Sequence, residues 1–413
     1  MTLEVKHKIP VKEWMNTAFI HKVFTTLQGA LPLDEPQLLF VGGCVRNALL
    51  GKKVDDIDLA TPLEPYSVMK ILEKEGVKVI PTGIDHGTVT LVNEGKNIEI
   101  TTLRRDDKTD GRHAHVSFTD NWQEDAMRRD FTLNTLLMDL EGNIYDPLGC
   151  GIKAAQERKI EFVGNPDERI AEDYLRILRF FRFNAYYGQS GESYDRKGLK
   201  ACQRGAEGIK ILSKERITQE FFKILLSAKP HEVLEVMFAH DVLRDLKCDQ
   251  YDAKLLKSLC STQERYQQQA LSARLLVFLA LDIENIKAIG DYILLPKALL
   301  KEIAAISKAL NRFDLSCDSA LRECLYHFGR ATTTQVLMID LAQNRVMIAN
   351  APAALDIIKN WTIPKFPLNG KDLIAQGLKE GPALGKELKR LEKLWIKNGF
   401  SMENSAALEA FRK

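Results

Sequence analysis

The chain has 413 residues, of which 45% are hydrophobic and 28% charged, with a formal net charge of +2. That length points to roughly two to four folding units with the composition of a soluble globular protein. Near-neutral charge excludes wrapping a long nucleic acid by bulk electrostatics but leaves room for a local basic groove.

The opening MTLEVKHKIPVKEW lacks the apolar core of a signal peptide, and no apolar run reaches membrane-spanning length. Up to Asp146-Pro147, short strand-like runs follow one another: LLFV, VDDIDLA, GVKVI, GTVTLV, NIEITTL and LLMDL. Helical stretches such as PYSVMKILEKEG are interleaved, with Gly, Asn or Asp between many runs. Beyond that point apolar residues recur at helical spacing to the end. An α+β chain is predicted: a mixed head over 1–148, then a helical neck over 149–228, body over 229–360 and tail over 361–413. The breaks used are Ser227 to Pro230 and WTIPKFPLNG. Seven scattered cysteines without a CxxC pair predict reduced thiols in a cytoplasm.

Within the head, LLFVGGCVRNALLGKKVDDIDLATP (Leu38 to Pro62) concentrates the chemistry. LLFV reads as a buried strand, Gly42-Gly43 as a turn, and Cys44, Val45, Ala48 and Leu49 as one face of a helix capped near Gly51. Strand, glycine turn and helix start leave N–H groups free for an anion. Arg46 on the polar side could grip a phosphate; a tight turn with a solvated arginine is the plainer reading. In VDDIDLA, alternation puts Asp56 and Asp58 on one face and Asp55 with Ile57 on the other. Paired carboxylates on a strand repel each other. A divalent cation relieves that cost, and Mg²⁺ suits oxygen ligands. Two such ions can activate a hydroxyl and stabilise departing pyrophosphate. The alternative is the polar face of an edge strand.

Glu99 in NIEITTL faces away from the apolar side of a strand that could neighbour Asp56, as a metal ligand or as a solvated residue. RRDDKTDGRHAHVSF (Arg104 to Phe118) reads as a mobile loop, and His113 and His115 are too isolated to form a metal site. In RRDFTLN, Arg129 can grip phosphate and Asp130 can accept from a ribose hydroxyl. DERIAEDYLRILRFFRF (Asp167 to Phe183) reads as one helix with Ile170, Tyr174, Ile177 or Leu178, and Phe181 as its core stripe. Asp173, Arg176 and Arg179 would lie on its polar side, as an ion-pair ladder or as base readers. A carboxylate accepting from an exocyclic amine and an arginine donating to a ring nitrogen suit cytosine and adenine, and mispair with uracil and guanine. Arg182, nine residues past Asp173, points to the other side.

In order, GGCVRN…DDIDLAT, RRDFTLN and EDYLRILRFFRF resemble motifs of the class II tRNA nucleotidyltransferase and bacterial poly(A) polymerase family, in the DNA polymerase β superfamily. PLNGKDLIAQGLKEGPALGKELKRLEKLWIKNGF resembles the tail of its bacterial tRNA-acting members. The resemblance implies a nucleotidyltransferase head with a small mixed sheet, followed by helical neck, body and tail in a curved molecule cradling the tRNA acceptor end. It implies template-independent addition of C, C and A from CTP and ATP, with release of pyrophosphate. By position, Asp56 and Asp58 would hold two Mg²⁺ ions; Glu99, from the strand reading alone, is the candidate for a further catalytic carboxylate. Gly42, Gly43, Arg46, Arg129 and Asp130 would bind the nucleotide. Asp173 and Arg176 would read the base, assisted by Arg179 and Arg182, and residues 104–118 would match the family's flexible loop.

The family's first motif usually ends in aspartate, where this chain has Asn47. His240-Asp241 in FAHDVL lacks the partners of a phosphohydrolase site. Lys371, Lys379, Lys386, Lys389, Arg390, Lys393 and Lys397 form either a tRNA contact or a solvated face. Poly(A), C-only or A-only addition, and an inactive RNA-binding protein on the same fold, are the competing expectations.

Overall fold

The structure, a computed structural model, describes residues 3–30, 37–93, 96–109, 114–189, 194–244, 251–290 and 292–401. They fall into two compact units, Met1–Leu246 and Lys247–Lys413. The expected boundaries after residues 148 and 228 lie inside the first unit and that after 360 inside the second, so the four-part division stands as a finer proposal.

The head holds β1 (Val5–Lys8), β2 (Leu39–Val41), β3 (Ile57–Thr61), β4 (Val79–Gly83), β5 (Thr88–Asn93) and β6 (Lys96–Thr102). It continues with β7 (Arg104–Thr109), β8 (Ala114–Phe118), β9 (Leu137–Met138) and β10 (Asn143–Tyr145). Eight of these strands form one sheet in the order β1-β10-β9-β2-β3-β6-β5-β4, with β3 and β6 parallel and the other pairs antiparallel. The sheet is mixed, as expected, and broader than the small one anticipated. Side-chain alternation gives it two characters. Met138, Phe40, Leu59, Ile100 and Val89 pair in a row across five strands, each at most 1% exposed. Helices α1 (Ala18–Gln28) and α3 (Pro65–Lys74) pack on each other beside the sheet, and the Phe24 ring lies 5.0 Å from that of Phe40. The adjacent row is polar: Asp58, Glu99 and Thr90 pair in register across β3, β6 and β5.

Two readings are corrected. Within 104–118, read as a mobile loop, the described residues form two strands. Strands β7 and β8 pair antiparallel as a hairpin, from Arg104↔Phe118 to Thr109↔Ala114. Its alternating residues satisfy each other's backbone groups despite the charge of the segment. His113 lies outside the described residues. Nor is 167–183 one helix: α6 (Pro166–Glu172) ends at Asp173, whose backbone is extended, and α7 (Leu175–Tyr187) begins afresh. The break has a local cause, because Asp173 Oδ1 accepts the Leu175 N–H at 3.1 Å, in the manner of an N-cap. Tyr174 therefore leaves the core stripe and packs its ring on Gly208, where a Cβ would stand 2.0 Å from the ring. Ile170, Ile177, Leu178 and Phe181 are buried as expected, joined by Phe180 and Phe183.

Between β2 and β3 lies α2 (Gly43–Leu49), and α4 (Trp122–Met127) follows the hairpin. The first unit then adds α5 (Gly151–Gln156), α8 (Arg196–Gly205), α9 (Lys214–Leu226) and α10 (Pro230–Ala239) to α6 and α7. Among the described residues no strand follows Tyr145. The second unit is helical, from α11 (Ala253–Arg265) through α12 (Leu271–Phe278), α13 (Asn285–Ile289), α14 (Lys297–Leu310), α15 (Asp318–Ala342) and α16 (Ala351–Asn360) to α17 (Gly370–Ala375) and α18 (Pro382–Lys397). Helix α15 kinks at Gly329, whose φ of 74° is left-handed and suits glycine. Leu391 and Trp395 of α18 are buried, with Leu391 against Leu368 and Leu373, whereas the seven basic side chains singled out in the tail are exposed. No described helix is long and apolar enough to cross a membrane.

Candidate active site

The polar row of the sheet, the turn into α2, the end of α4, the end of α6 and one side of α7 enclose a pocket of about 490 Å³. Ten of the expected residues line it: Gly42, Gly43, Arg46, Asp58, Glu99, Arg129, Asp130, Asp173, Arg176 and Arg179. Asp56 and Arg182 do not. Asp56 is exposed and precedes β3 rather than lying within it. Arg182 turns away to pair with Glu220 of α9 at 2.5 Å. Asp55, read as structural or exposed, is exposed and pairs with Lys53 at 2.5 Å.

The turn is built around Gly42, whose φ of 69° is left-handed. A Cβ there would also stand 3.2 Å from Arg129 Nη1, so the glycine admits that guanidinium. Gly51, at φ 64°, follows the end of α2 as the sequence suggests. Arg46 departs from the expected solvent-facing pose: it is 6% exposed and bonded on several sides. Its Nε and Nη2 donate to Asn47 Oδ1 at 3.2 and 2.9 Å, Nη1 donates to Asn134 Oδ1 at 2.6 Å, and Nη2 donates to the Tyr187 hydroxyl at 2.6 Å. The guanidinium also lies 3.9 Å from the centre of the Tyr187 ring. Burial lowers its pKa from the usual arginine value. These contacts use four of the five N–H donors of the guanidinium and leave one on Nη1, while Arg46 lines the pocket.

Asp58 and Glu99 sit side by side on parallel strands. Burial raises the Asp58 carboxyl above the usual carboxylate range, and the neighbouring Glu99 raises it further. Among the described residues, no group of three or more His, Cys, Asp and Glu side chains forms a cage for a metal. The donor set is nevertheless that of a hard cation. A pair of carboxylates, Asp58 partly buried and Glu99 exposed, fits an ion that keeps water and completes its shell with substrate phosphates.

Asp130 is buried between three donors: the Phe131 N–H and Asn134 Nδ2, both at 2.9 Å, and Arg179 Nε at 2.7 Å. Burial pushes its carboxyl up, but Arg179 and these hydrogen bonds outweigh that and hold it below the usual range. Asp125 of α4 is held down in the same way by Arg129 and Arg128, with Arg129 Nη2 at 2.8 Å. Asp173 Oδ2 accepts from Arg216 of α9 at 2.8 Å, and Arg176 Nη1 pairs with Glu172 at 2.5 Å. Both of the expected base readers are thus held by a neighbour.

Sequence reasoning missed these supports: Asn134, Asp125, Tyr187, Glu172 and Arg216. Asp125 had a signal in its i,i+3 and i,i+4 spacing to Arg128 and Arg129, and Asn134 in its i,i+4 spacing from Asp130. Arg216 had none, because only the fold brings α9 to Asp173.

Residues 38–161 match the family model described as the poly A polymerase head domain, and 195–247 match that of a probable RNA- and SrmB-binding site of polymerase A. The chain is 31% identical to the human mitochondrial CCA tRNA nucleotidyltransferase 1, over 92% of this chain and 87% of that protein. The chain belongs to the CCA-adding tRNA nucleotidyltransferase family. A CCA-adding enzyme of Lactococcus lactis subsp. cremoris (strain MG1363) is 33% identical, over 91% of this chain and 92% of that one. The fold agrees with that of the Bacillus stearothermophilus CCA-adding enzyme solved in complex with CTP, at TM-score 0.78 and 27% identity over 98% of both chains. CCA-adding enzymes are nucleotidyltransferases that generally use divalent metal ions, in keeping with the carboxylates of this pocket.

Proposed function

We propose that this chain adds C, C and A in turn to the 3′ end of tRNA from CTP and ATP, without a nucleic-acid template. The observation that carries the reading is the convergence, in one pocket, of a carboxylate pair, a glycine turn with Arg129, and the Asp173 and Arg176 side chains. No phosphate-binding protein in general needs the last pair; a base reader does.

The RNA 3′-OH attacks the α-phosphorus, a P–O bond forms to the RNA, and the bond to pyrophosphate breaks. Two Mg²⁺ ions held by Asp56 and Asp58, with Glu99 alongside, would lower the pKa of the attacking hydroxyl and offset charge on the triphosphate. Arg129, beside Gly42, grips phosphate, and Arg46 offers it the N–H left on Nη1. Asp130 and Arg179 act as one bonded unit at the ribose. The Asp173 carboxylate accepts from the amine of cytosine or adenine while Arg176 donates to the ring nitrogen. Holding reactants in line and placing positive charge where negative charge develops supply most of the rate in such transfers. Arg182, paired with Glu220, supports α7 from behind. The exposed tail lysines contact tRNA phosphates, and the free thiols of the described cysteines suit a reducing cytoplasm.

The test offers purified protein and Mg²⁺ three transcripts: tRNA ending before CCA, after C and after CC, each with CTP, ATP or both. Stepwise completion to CCA supports the reading. C-only, A-only or long poly(A) products refute it. Asp56→Ala abolishes incorporation and leaves tRNA binding by filter retention intact; surviving activity removes Asp56 from the metal set.

A further inference from the structure

Asn47 follows Arg46 on α2 and has no charge to give a substrate, yet its amide is used at both ends. Oδ1 accepts from Arg46 Nε and Nη2, closing on one edge of the guanidinium, and Nδ2 donates to the Lys53 carbonyl at 2.9 Å. Lys53 belongs to the strap 51–56, which leads from α2 into β3 and carries Asp56 at its end. The strap is tied again where the Lys52 N–H donates to the Asn47 carbonyl at 2.8 Å and where Lys52 Nζ reaches the Tyr186 carbonyl at 2.5 Å. One side chain therefore joins the buried arginine of the turn to the backbone that aims the carboxylates.

We propose that Asn47 is a positioning residue that sets Arg46 and the Asp56-bearing strap in register with each other. Resting on the nucleotidyltransferase reading, this assigns the two ends of the amide different jobs. The acceptor end fixes the arginine and with it the Nη1 N–H left for phosphate. The donor end fixes the strap. In this chain the amide serves contacts of opposite polarity, of which the family's usual aspartate could serve only the arginine. A carboxylate at 47 would still accept from Arg46 but could not donate to Lys53, and would set an oxygen against its carbonyl. Alanine would lose both contacts.

The test measures kcat and KM for CTP on tRNA ending before CCA, with amide exchange of the strap read by mass spectrometry. Asn47→Asp is expected to lower kcat about tenfold, keep KM within about twofold of the parent and speed exchange over 51–56. Asn47→Ala is expected to speed the same exchange, lower kcat similarly and raise KM about fivefold. A mere loss of packing would move kcat, KM and melting temperature together in both variants, and that result overturns the proposal. So does an Asn47→Asp protein with parental kcat and parental strap exchange. If Asn47→Ala does not fold, Asn47→Asp decides alone. Should the parent protein incorporate no nucleotide, the enzymatic reading fails, while strap exchange in Asn47→Asp still tests the positioning contact.

Discussion

Asn134 carries no charge, yet it ties two of the charged groups of the pocket together. Its Oδ1 accepts from Arg46 and its Nδ2 donates to Asp130, both buried. Removing it leaves a buried arginine N–H and a buried carboxylate oxygen each short of a partner. Asn134→Ala should cost about 1–3 kcal/mol of stability, read as a lowered melting temperature, and should raise KM for both nucleotides. An unchanged melting temperature would show that water replaces the amide. Two of the buried carboxylates make the fold sensitive to acid. Asp125 and Asp130 are held below the ordinary carboxylate value in the folded protein. Their contribution to stability is complete above the unfolded value of about 3.9 and is lost as pH falls through the lower folded values. The melting temperature should therefore drop steeply below about pH 4. A flat profile from pH 5 to pH 2 would contradict this.

At the scale of elements, the junction of α6 and α7 matters most. A continuous helix would set Asp173 and Arg176 on one face at fixed spacing. The extended backbone at Asp173 instead swings its carboxylate to Arg216 of α9 while Arg176 stays with Glu172. If Asp173 reads the base as proposed, α9 takes part in base selection through Arg216. Arg216→Ala frees the carboxylate to rotate and should reduce the preference for CTP over UTP about threefold to tenfold, with little change in stability because the arginine is half exposed. Competition between the two nucleotides in single-addition assays measures it; an unaltered ratio would make Arg216 a surface pair only.

For the whole molecule, the near-neutral charge of +2 conceals an uneven distribution. The exposed lysines of α17 and α18 and of the segment between them stand over a small apolar core of Leu368, Leu373 and Leu391. If they meet tRNA phosphates, affinity falls with salt, and neutralising Lys386, Lys389 and Lys393 together should flatten the slope of log K against log salt by about 2 to 3. An unaltered slope would assign these lysines to solvation alone.

Most of the architecture was legible in the chain, since local rules govern it. A continuous apolar run marked LLFV and alternation marked NIEITTL as strands, glycine at Gly51 marked the end of a helix, and the loss of strand signals after Asp146-Pro147 marked the helical part. Asp58 in VDDIDLA and the order of the three motifs gave the chemistry its class, while the strand face expected for Asp56 did not form because β3 begins at Ile57. What the sequence could not state was which side chains hold those groups in place. The pairing of Arg216 with Asp173 joins residues 43 positions apart, and that of Arg46 with Tyr187 spans 141. Charge-rich RRDDKT looked like a loop because strand propensity is weak where a hairpin is held by its partner strand. Periodicity and spacing report contacts within a few residues; the enclosure of Arg46 and the division of labour at Asn47 arise from contacts between elements, which tertiary packing alone decides.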